Sequence, residues 1–117
     1  NINLKYKLME FSEYQKLSRQ TAVYPAIGKG FVYPALGLAG ESGEVVEKVK
    51  KLFRDQAGEV SNDNRQAIAK ELGDVLWYLA QLATEFDLSL DQVAQGNLEK
   101  LFSRQERGQL HGSGDER

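Results

Sequence analysis

The chain has 117 residues, which is the length of one ordinary domain, so we expect a single unit over 1–117. Seventeen acidic and 15 basic residues give a formal charge of −2, which argues against a general nucleic-acid binder. The lack of cysteine and the single histidine exclude thiol chemistry, disulfides and zinc sites of the Cys/His type, so any metal would need oxygen ligands.

The sequence also argues against a membrane partner. Its longest strongly apolar stretch, 75–83, has nine residues, whereas a bilayer-spanning helix needs roughly 20. The start shows no secretory pattern of a basic segment, an apolar segment and a small-residue cleavage site. We therefore expect a cytoplasmic protein, with 1–8 as a flexible arm and the polar, Gly-containing segment 109–117 as a flexible tail.

The first half of the chain shows helical spacing of its apolar residues. This spacing predicts a first helix over 9–22, followed by a loop marked by prolines and glycines. A second helix is expected over 34–54, because Pro34 suits the first turn, where a missing N–H costs little. The polar segment 55–63 then reads as a connection.

Two further helices are predicted in the second half. Capping-box patterns, in which an acceptor side chain precedes Gln by three residues, open both of them. The pairs are Asp63 with Gln66 and Ser89 with Gln92. The predicted helices extend to Phe86 and to Arg107, with Gly108 ending the last one. No window alternates long enough to indicate a strand, so the predicted fold class is all-α.

The third predicted helix carries an apolar arc too wide for one partner helix to cover. Its members are Ile68, Leu72, Val75, Leu76, Leu79 and Leu82. Large apolar surface on a small helical domain usually marks a subunit interface. We therefore expect a four-helix bundle that is completed by homo-oligomerisation, as a homodimer or a homotetramer.

Two carboxylate pairs lie at the margin of the predicted core. Glu41 with Glu44, and Glu71 with Asp74, are each spaced i, i+3, which puts each pair on one helix face. Near a core margin such acids repel one another and lose hydration, and Lys48 offers one positive charge against four. A hard divalent cation, Mg²⁺ or Mn²⁺, would compensate them. The alternative is that they are ordinary solvated helix acids.

These acids carry a resemblance to a known family. Glu41-x-x-Glu44, 26 intervening residues and Glu71-x-x-Asp74, inside the blocks 37–45 and 70–78, resemble the signature of MazG-like all-α nucleoside triphosphate pyrophosphohydrolases. The chain is most similar to the short single-domain members, including phage-encoded ones. Longer two-domain members have a further acid where this chain has Gly40. The resemblance implies Mg²⁺-dependent cleavage between the α- and β-phosphates, which yields a nucleoside monophosphate and pyrophosphate.

Candidate substrate-binding residues follow on the fourth helix. One strip along its face holds Asn97, Lys100, Arg104 and Arg107. Arg and Lys suit a polyphosphate, although cations near a helix C-terminus are also favoured without any ligand. In proteins similar to this one the corresponding helix supplies Asn and basic residues to the substrate pocket. Tyr78, on the strip of Glu71 and Asp74, is placed to stack on a nucleobase.

Roles can be assigned to the candidate catalytic residues. Glu41 or Glu44 would orient the attacking water, with Glu41 preferred, while Lys48 would balance charge on the phosphate oxygens. Packing is the expected role of Trp77, and Tyr24 and Tyr33 are candidates for a lid. A non-catalytic helical interaction module remains an alternative, as does a dUTP-, dCTP- or phosphoribosyl-ATP-specific enzyme on the same fold.

Overall fold

The computed structural model describes residues 8–117. The expected arm at 1–8 therefore lies outside the described residues except for Leu8. The described chain is helical and contains no strand, which confirms the all-α prediction. Its helices are α1, Phe11–Ser18, which continues into a 3₁₀ turn, Arg19–Thr21; α2, Val32–Gln56; α3, Asn62–Glu85; and α4, Leu90–Glu106.

The ends of α2 follow from its sequence. Pro34 lies in the first turn, where it removes an N–H that has no partner within the helix. At the other end Ala57 and Gly58 take left-handed backbone conformations, with φ of 52° and 80°, and the N–H of Gly58 bonds to Leu52 O at 3.0 Å. These two residues turn the chain back, so a short link over 57–61 connects α2 to α3.

The predicted start of α3 is wrong in its capping residues. The capping box is formed by Ser61 and Asn64, not by Asp63 and Gln66. Ser61 Oγ accepts the N–H of Asn64 at 3.1 Å, and Asn64 Oδ1 accepts the N–H of Ser61 at 3.0 Å. Ser61 has the extended backbone that an N-cap needs, which leaves Asp63 in the first turn, where its charge faces the positive helix end.

The caps of α4 agree with the sequence. Ser89 Oγ accepts the N–H of Gln92 at 3.4 Å. After the last helical turn Gly108 takes φ of 69°, a conformation that favours glycine, and its N–H bonds to Gln105 O at 3.2 Å. Gly108 therefore ends α4 as expected.

The helices pack around an antiparallel hairpin. The main packing in the described chain is α2 against α3, and α1 lies against both α3 and α4. Ala80, Ala83 and Leu90 form the small buried core. Beside it Gln81 is fully buried and donates Nε2–H to Ser18 Oγ at 3.0 Å, while its Oε1 accepts from Arg19 Nη1 at 3.3 Å. These bonds satisfy the buried amide and attach α1 to α3.

A single chain leaves much apolar surface in water. Large side chains on three of the helices are at least half exposed, namely Leu36, Val46, Phe53, Leu72, Leu98 and Phe102. The radius of gyration is 17.2 Å, well above the ~13 Å typical of a compact domain of about 100 residues. This surface is what the predicted homo-oligomer would cover. In the described part of the chain, every helix is too short or too polar to cross a membrane.

Candidate metal centre and adjoining cleft

An acidic triad lies between the two helices of the hairpin. Glu41 of α2 faces Glu71 and Asp74 of α3, and one carboxylate oxygen from each lies within 4.8 Å of the others. The i, i+3 spacing of the two α3 acids puts both side chains on the face that meets α2. The structure thus brings together three of the four predicted ligands.

The charges of the triad are only partly balanced. Burial raises the pKa of the Glu41 carboxyl, and the negative charges of Asp74, Glu71 and Glu44 raise it further. Among residues 8–117, the triad forms an ion pair with Lys48, whose Nζ lies 3.9 Å from Glu71 Oε1. One lysine against three close carboxylates leaves a net negative site built from oxygen donors, which suits a hard divalent cation.

Glu44 lies outside this triad. It is exposed and follows Glu41 by three residues on α2, so it is displaced by most of a turn along the helix. Glu44 is still close enough for its charge to act on Glu41. Its role as a metal ligand or base stays a prediction.

A cleft of about 320 Å³ opens beside the triad. Its walls are Glu41, Asp74, Trp77 and Tyr78 of the hairpin, with Thr21 of the 3₁₀ turn. The Trp77 indole N–H donates to Thr21 Oγ1 at 2.8 Å, which closes one side. Tyr78 lies where its helical position predicts, whereas Trp77, for which packing is the expected role, also lines the cleft. Thr21 has no sequence signal, because no local pattern shows that α1 brings this turn to α3.

Four aromatic rings continue the cleft away from the acids. Tyr24 stacks on Tyr33 at a centroid distance of 5.6 Å, and Trp77 meets both Tyr24 and Tyr78 edge-on at 6.2 and 5.0 Å. Tyr78 also lies directly on the backbone of α2, where a side chain at Gly37 would collide with its ring. The surface therefore offers flat rings, on which a nucleobase could stack, next to acids that could hold phosphates only through a bound cation.

A small polar network holds Tyr24 in place. Its hydroxyl donates to Glu85 Oε1, and Arg19 donates to the Tyr24 oxygen at 2.7 Å and to Glu85 Oε1 at 3.0 Å. The hydrogen bond from Tyr24 and then the Arg19 cation lower the pKa of the Glu85 carboxyl. Arg19 and Glu85 are not predictable from the sequence, because they are 66 residues apart and share no motif.

The cations of the predicted basic strip on α4 have partners other than the triad. Within residues 8–117 they bond to the C-terminal segment and form no ion pair with Glu41, Glu71 or Asp74. Lys100 and Arg104 pair with Asp115, and Arg107 donates to Ser103 Oγ and to the carbonyl of Arg117. Asn97 lines an apolar groove between α3 and α4. The segment 109–117 therefore contacts α4, and its flexibility stays a prediction.

Comparison with known proteins agrees with this geometry. The MazG nucleotide pyrophosphohydrolase domain matches residues 34–108, which include α3, α4 and all of α2 except its first two residues. The chain belongs to the MazG family. It is similar to the Gene 37 protein of Mycobacterium phage L5, at 46% identity over 114 residues that cover 93% of this chain and 100% of the phage protein. No solved structure gives a significant match. Membership of the MazG family supports a pyrophosphohydrolase in general terms.

Proposed function

We propose that this chain hydrolyses nucleoside triphosphates between the α- and β-phosphates, with Mg²⁺ as its metal and Mn²⁺ as a possible substitute. The observation that carries the proposal is the acidic triad Glu41, Glu71 and Asp74, which lies inside the segment matched by the MazG domain. The products would be a nucleoside monophosphate and pyrophosphate. A role in maintaining the nucleotide pool, in the cytoplasm, follows as part of the proposal.

The residues present fit a hard cation. All three members of the triad offer carboxylate oxygens. Burial, and then the negative charges of its neighbours, raise the pKa of Glu41, and a bound cation would offset this cost of keeping the acids ionised. When bound, Mg²⁺ would polarise the phosphate and supply a nucleophilic water near neutral pH. Lys48, beside Glu71, would then be released to balance charge on phosphate oxygens.

The protein's own groups define the remaining roles. Glu41, which lies in the cleft beside the α3 acids, would accept the proton of the attacking water, and Glu44 is the alternative base. Tyr78 would stack on the base, and Trp77 joins it because both rings line the cleft. Discrimination between a general substrate range and dUTP, dCTP or phosphoribosyl-ATP would depend on the rings of Tyr24 and Tyr33.

The basic strip of one chain is proposed to reach the substrate site of a second copy of the chain. We propose that Asn97, Lys100, Arg104 and Arg107 contact the substrate in a homodimer or homotetramer. Two features support this: among the described residues the cations of the strip form no ion pair with the triad, and the exposed apolar residues on α2, α3 and α4 need a cover. Nucleic acid and membrane are not proposed as partners.

Amide variants of the α3 acids test the proposal. Glu71→Gln and Asp74→Asn keep side-chain size but remove charge, so each should lower turnover by about 100-fold or more while circular dichroism stays unchanged. Glu47→Gln is the matched control, because Glu47 pairs with Lys50 on the same helix as Glu41 and lies outside the triad. Full activity in either α3 variant would contradict the assignment.

The assay also identifies the bond that is cleaved. Ribo- and deoxyribonucleoside triphosphates are incubated in turn with Mg²⁺, and pyrophosphate is scored against orthophosphate. Pyrophosphate should appear with an equal amount of monophosphate. Orthophosphate as the sole direct product would exclude cleavage between the α- and β-phosphates, and the substrate ranking would show which base is preferred.

A non-catalytic interaction module is the second candidate, and the exposed apolar side chains favour it. The two candidates differ in their response to metal. An enzyme with this triad should show a clear rise of its thermal midpoint with added Mg²⁺, whereas a module whose acids only solubilise its surface should show none. The Glu71→Gln variant provides the baseline for this titration.

A further inference from the structure

Arg104, near the end of α4, is an almost fully buried cation that is poorly satisfied. It is 3% exposed, and all of its hydrogen bonds among residues 8–117 use Nη2. These bonds go to the carbonyl oxygens of Gly114 and Asp115, at 3.4 and 2.8 Å, and to Asp115 Oδ1 at 3.3 Å. Its Nε is buried and has no partner in the described chain. A guanidinium binds anions best with two parallel N–H groups, so this one retains unused capacity.

The anion that Arg104 does hold is itself loosely placed. The Asp115 side chain is 83% exposed, and its Oδ1 is shared with Lys100 Nζ, also at 3.3 Å. Both contacts are longer than a strong charge-assisted hydrogen bond of about 2.8 Å. The segment that carries Asp115 includes Gly112 and Gly114, with φ of 146° and 86°, so a chain with little steric restriction delivers this carboxylate.

We propose that Asp115 is an internal competitor for the polyphosphate that Lys100 and Arg104 would bind under the proposed function. Lys100 and Arg104 are kept together by an internal carboxylate, and an incoming polyphosphate displaces Asp115 and takes both arms of the Arg104 guanidinium. The C-terminal segment is then released. The identity of the ligand rests on the proposed function, and the new element is a competing carboxylate from the chain itself.

The test uses Asp115→Asn and the full chain. The asparagine keeps the side-chain oxygen, and Arg104 keeps its bonds to the two backbone carbonyls, so the fold should not change. Inorganic tripolyphosphate is titrated by calorimetry in EDTA at low ionic strength. Loss of one competing negative charge should tighten binding about fivefold. Glu116→Gln is the matched control: it removes the neighbouring carboxylate, which forms none of the ion pairs described for Lys100 and Arg104, and should bind like the original chain.

Two further measurements exclude a merely structural role for Asp115. In a Lys100→Gln background, Asp115→Asn should tighten tripolyphosphate binding by less, because Asp115 competes with tripolyphosphate for Lys100. In NMR spectra of the original chain, tripolyphosphate should shift the amide resonances of Gly112 and Gly114 towards the values of an unstructured peptide, because the C-terminal segment is released. Equal or weaker binding by Asp115→Asn, or unchanged glycine resonances on binding, would overturn the proposal.

These outcomes are independent of catalysis, because EDTA removes any metal-dependent turnover. If the chain cleaves no nucleoside triphosphate but Asp115→Asn binds tripolyphosphate more tightly, the proposed function fails and the anion site stands. If turnover is present but Asp115→Asn binds no better, only the competing role of Asp115 fails.

Discussion

Gly37 offers a direct test of how the cleft is built. An ideal Cβ at this position would lie 2.2 Å from Cε1 and 2.4 Å from Cζ of Tyr78, whereas carbon atoms normally rest about 3.5–4.0 Å apart. In Gly37→Ala the Tyr78 ring must therefore move by roughly 1.5 Å. Tyr33 and Trp77 pack against that ring, so the movement disturbs the whole aromatic wall.

Two opposing effects set the expected change in stability. Overpacking costs about 1–3 kcal/mol, while alanine gains about 0.5–1 kcal/mol over glycine inside a helix. Gly37→Ala should therefore lower the free energy of unfolding by about 1 kcal/mol. Gly43→Ala, on the same helix with nothing within 4 Å of its Cβ, should raise it by about 0.5–1 kcal/mol. Urea denaturation in EDTA at one protein concentration measures both.

Equal stability of the Gly37→Ala and Gly43→Ala variants would refute the expected clash with Tyr78. A second check removes the ring. In a Tyr78→Ala background, Gly37→Ala should no longer destabilise the protein, because the new methyl group meets no ring. An unchanged effect in that background would show that the destabilisation arises elsewhere.

Two predictions concern pH. The pKa of Glu41 is raised on folding, so this group disfavours the metal-free fold increasingly as pH rises through that pKa. In metal-free denaturation experiments, the stability of Glu41→Gln relative to the original chain should therefore increase from pH 4 to pH 7, and a constant difference across that range would contradict this. The same variant should also lose the Mg²⁺-induced rise of the thermal midpoint. The pKa of Glu85 is lowered by Tyr24 and Arg19, so its contribution is present above its unfolded pKa of about 4.3 and disappears as pH falls. The advantage of the original chain over Glu85→Gln at pH 7 should shrink steadily as pH falls below about 4.3 in the same assay, and an advantage that is independent of pH would contradict this reasoning.

The helices could be predicted because their signals are local. Apolar spacing, Pro34 near a helix start and Gly108 at a helix end each act within a few residues of themselves. The start of α3 was missed by two residues because two acceptor side chains compete there, and only backbone geometry decides that Ser61 rather than Asp63 is the cap. The i, i+3 spacing of Glu71 and Asp74 likewise predicts that both acids lie on one face of α3.

Contacts between residues that are far apart in the sequence could not be predicted in this way. Whether Glu41 or Glu44 meets the α3 acids depends on the register of two helices, which the spacing within one helix does not specify. Thr21 reaches Trp77 only because α1 packs on α3. The fold of the C-terminal segment depends on bonds between residues about ten positions apart, such as Arg104 to Asp115, for which a polar, glycine-containing sequence gives no periodic signal.

The hairpin formed by α2 and α3 also limits how this sequence can change in length. Glu41 and Asp74 face each other across a bend, so a residue inserted into either helix between that bend and its acid turns the acid by about 100° and moves it by about 1.5 Å. An insertion within the link at 57–61 falls outside both helices and is absorbed far more easily. We expect natural length variation to concentrate in that bend, and a designer could lengthen the hairpin by adding seven residues, close to two whole turns, to each arm.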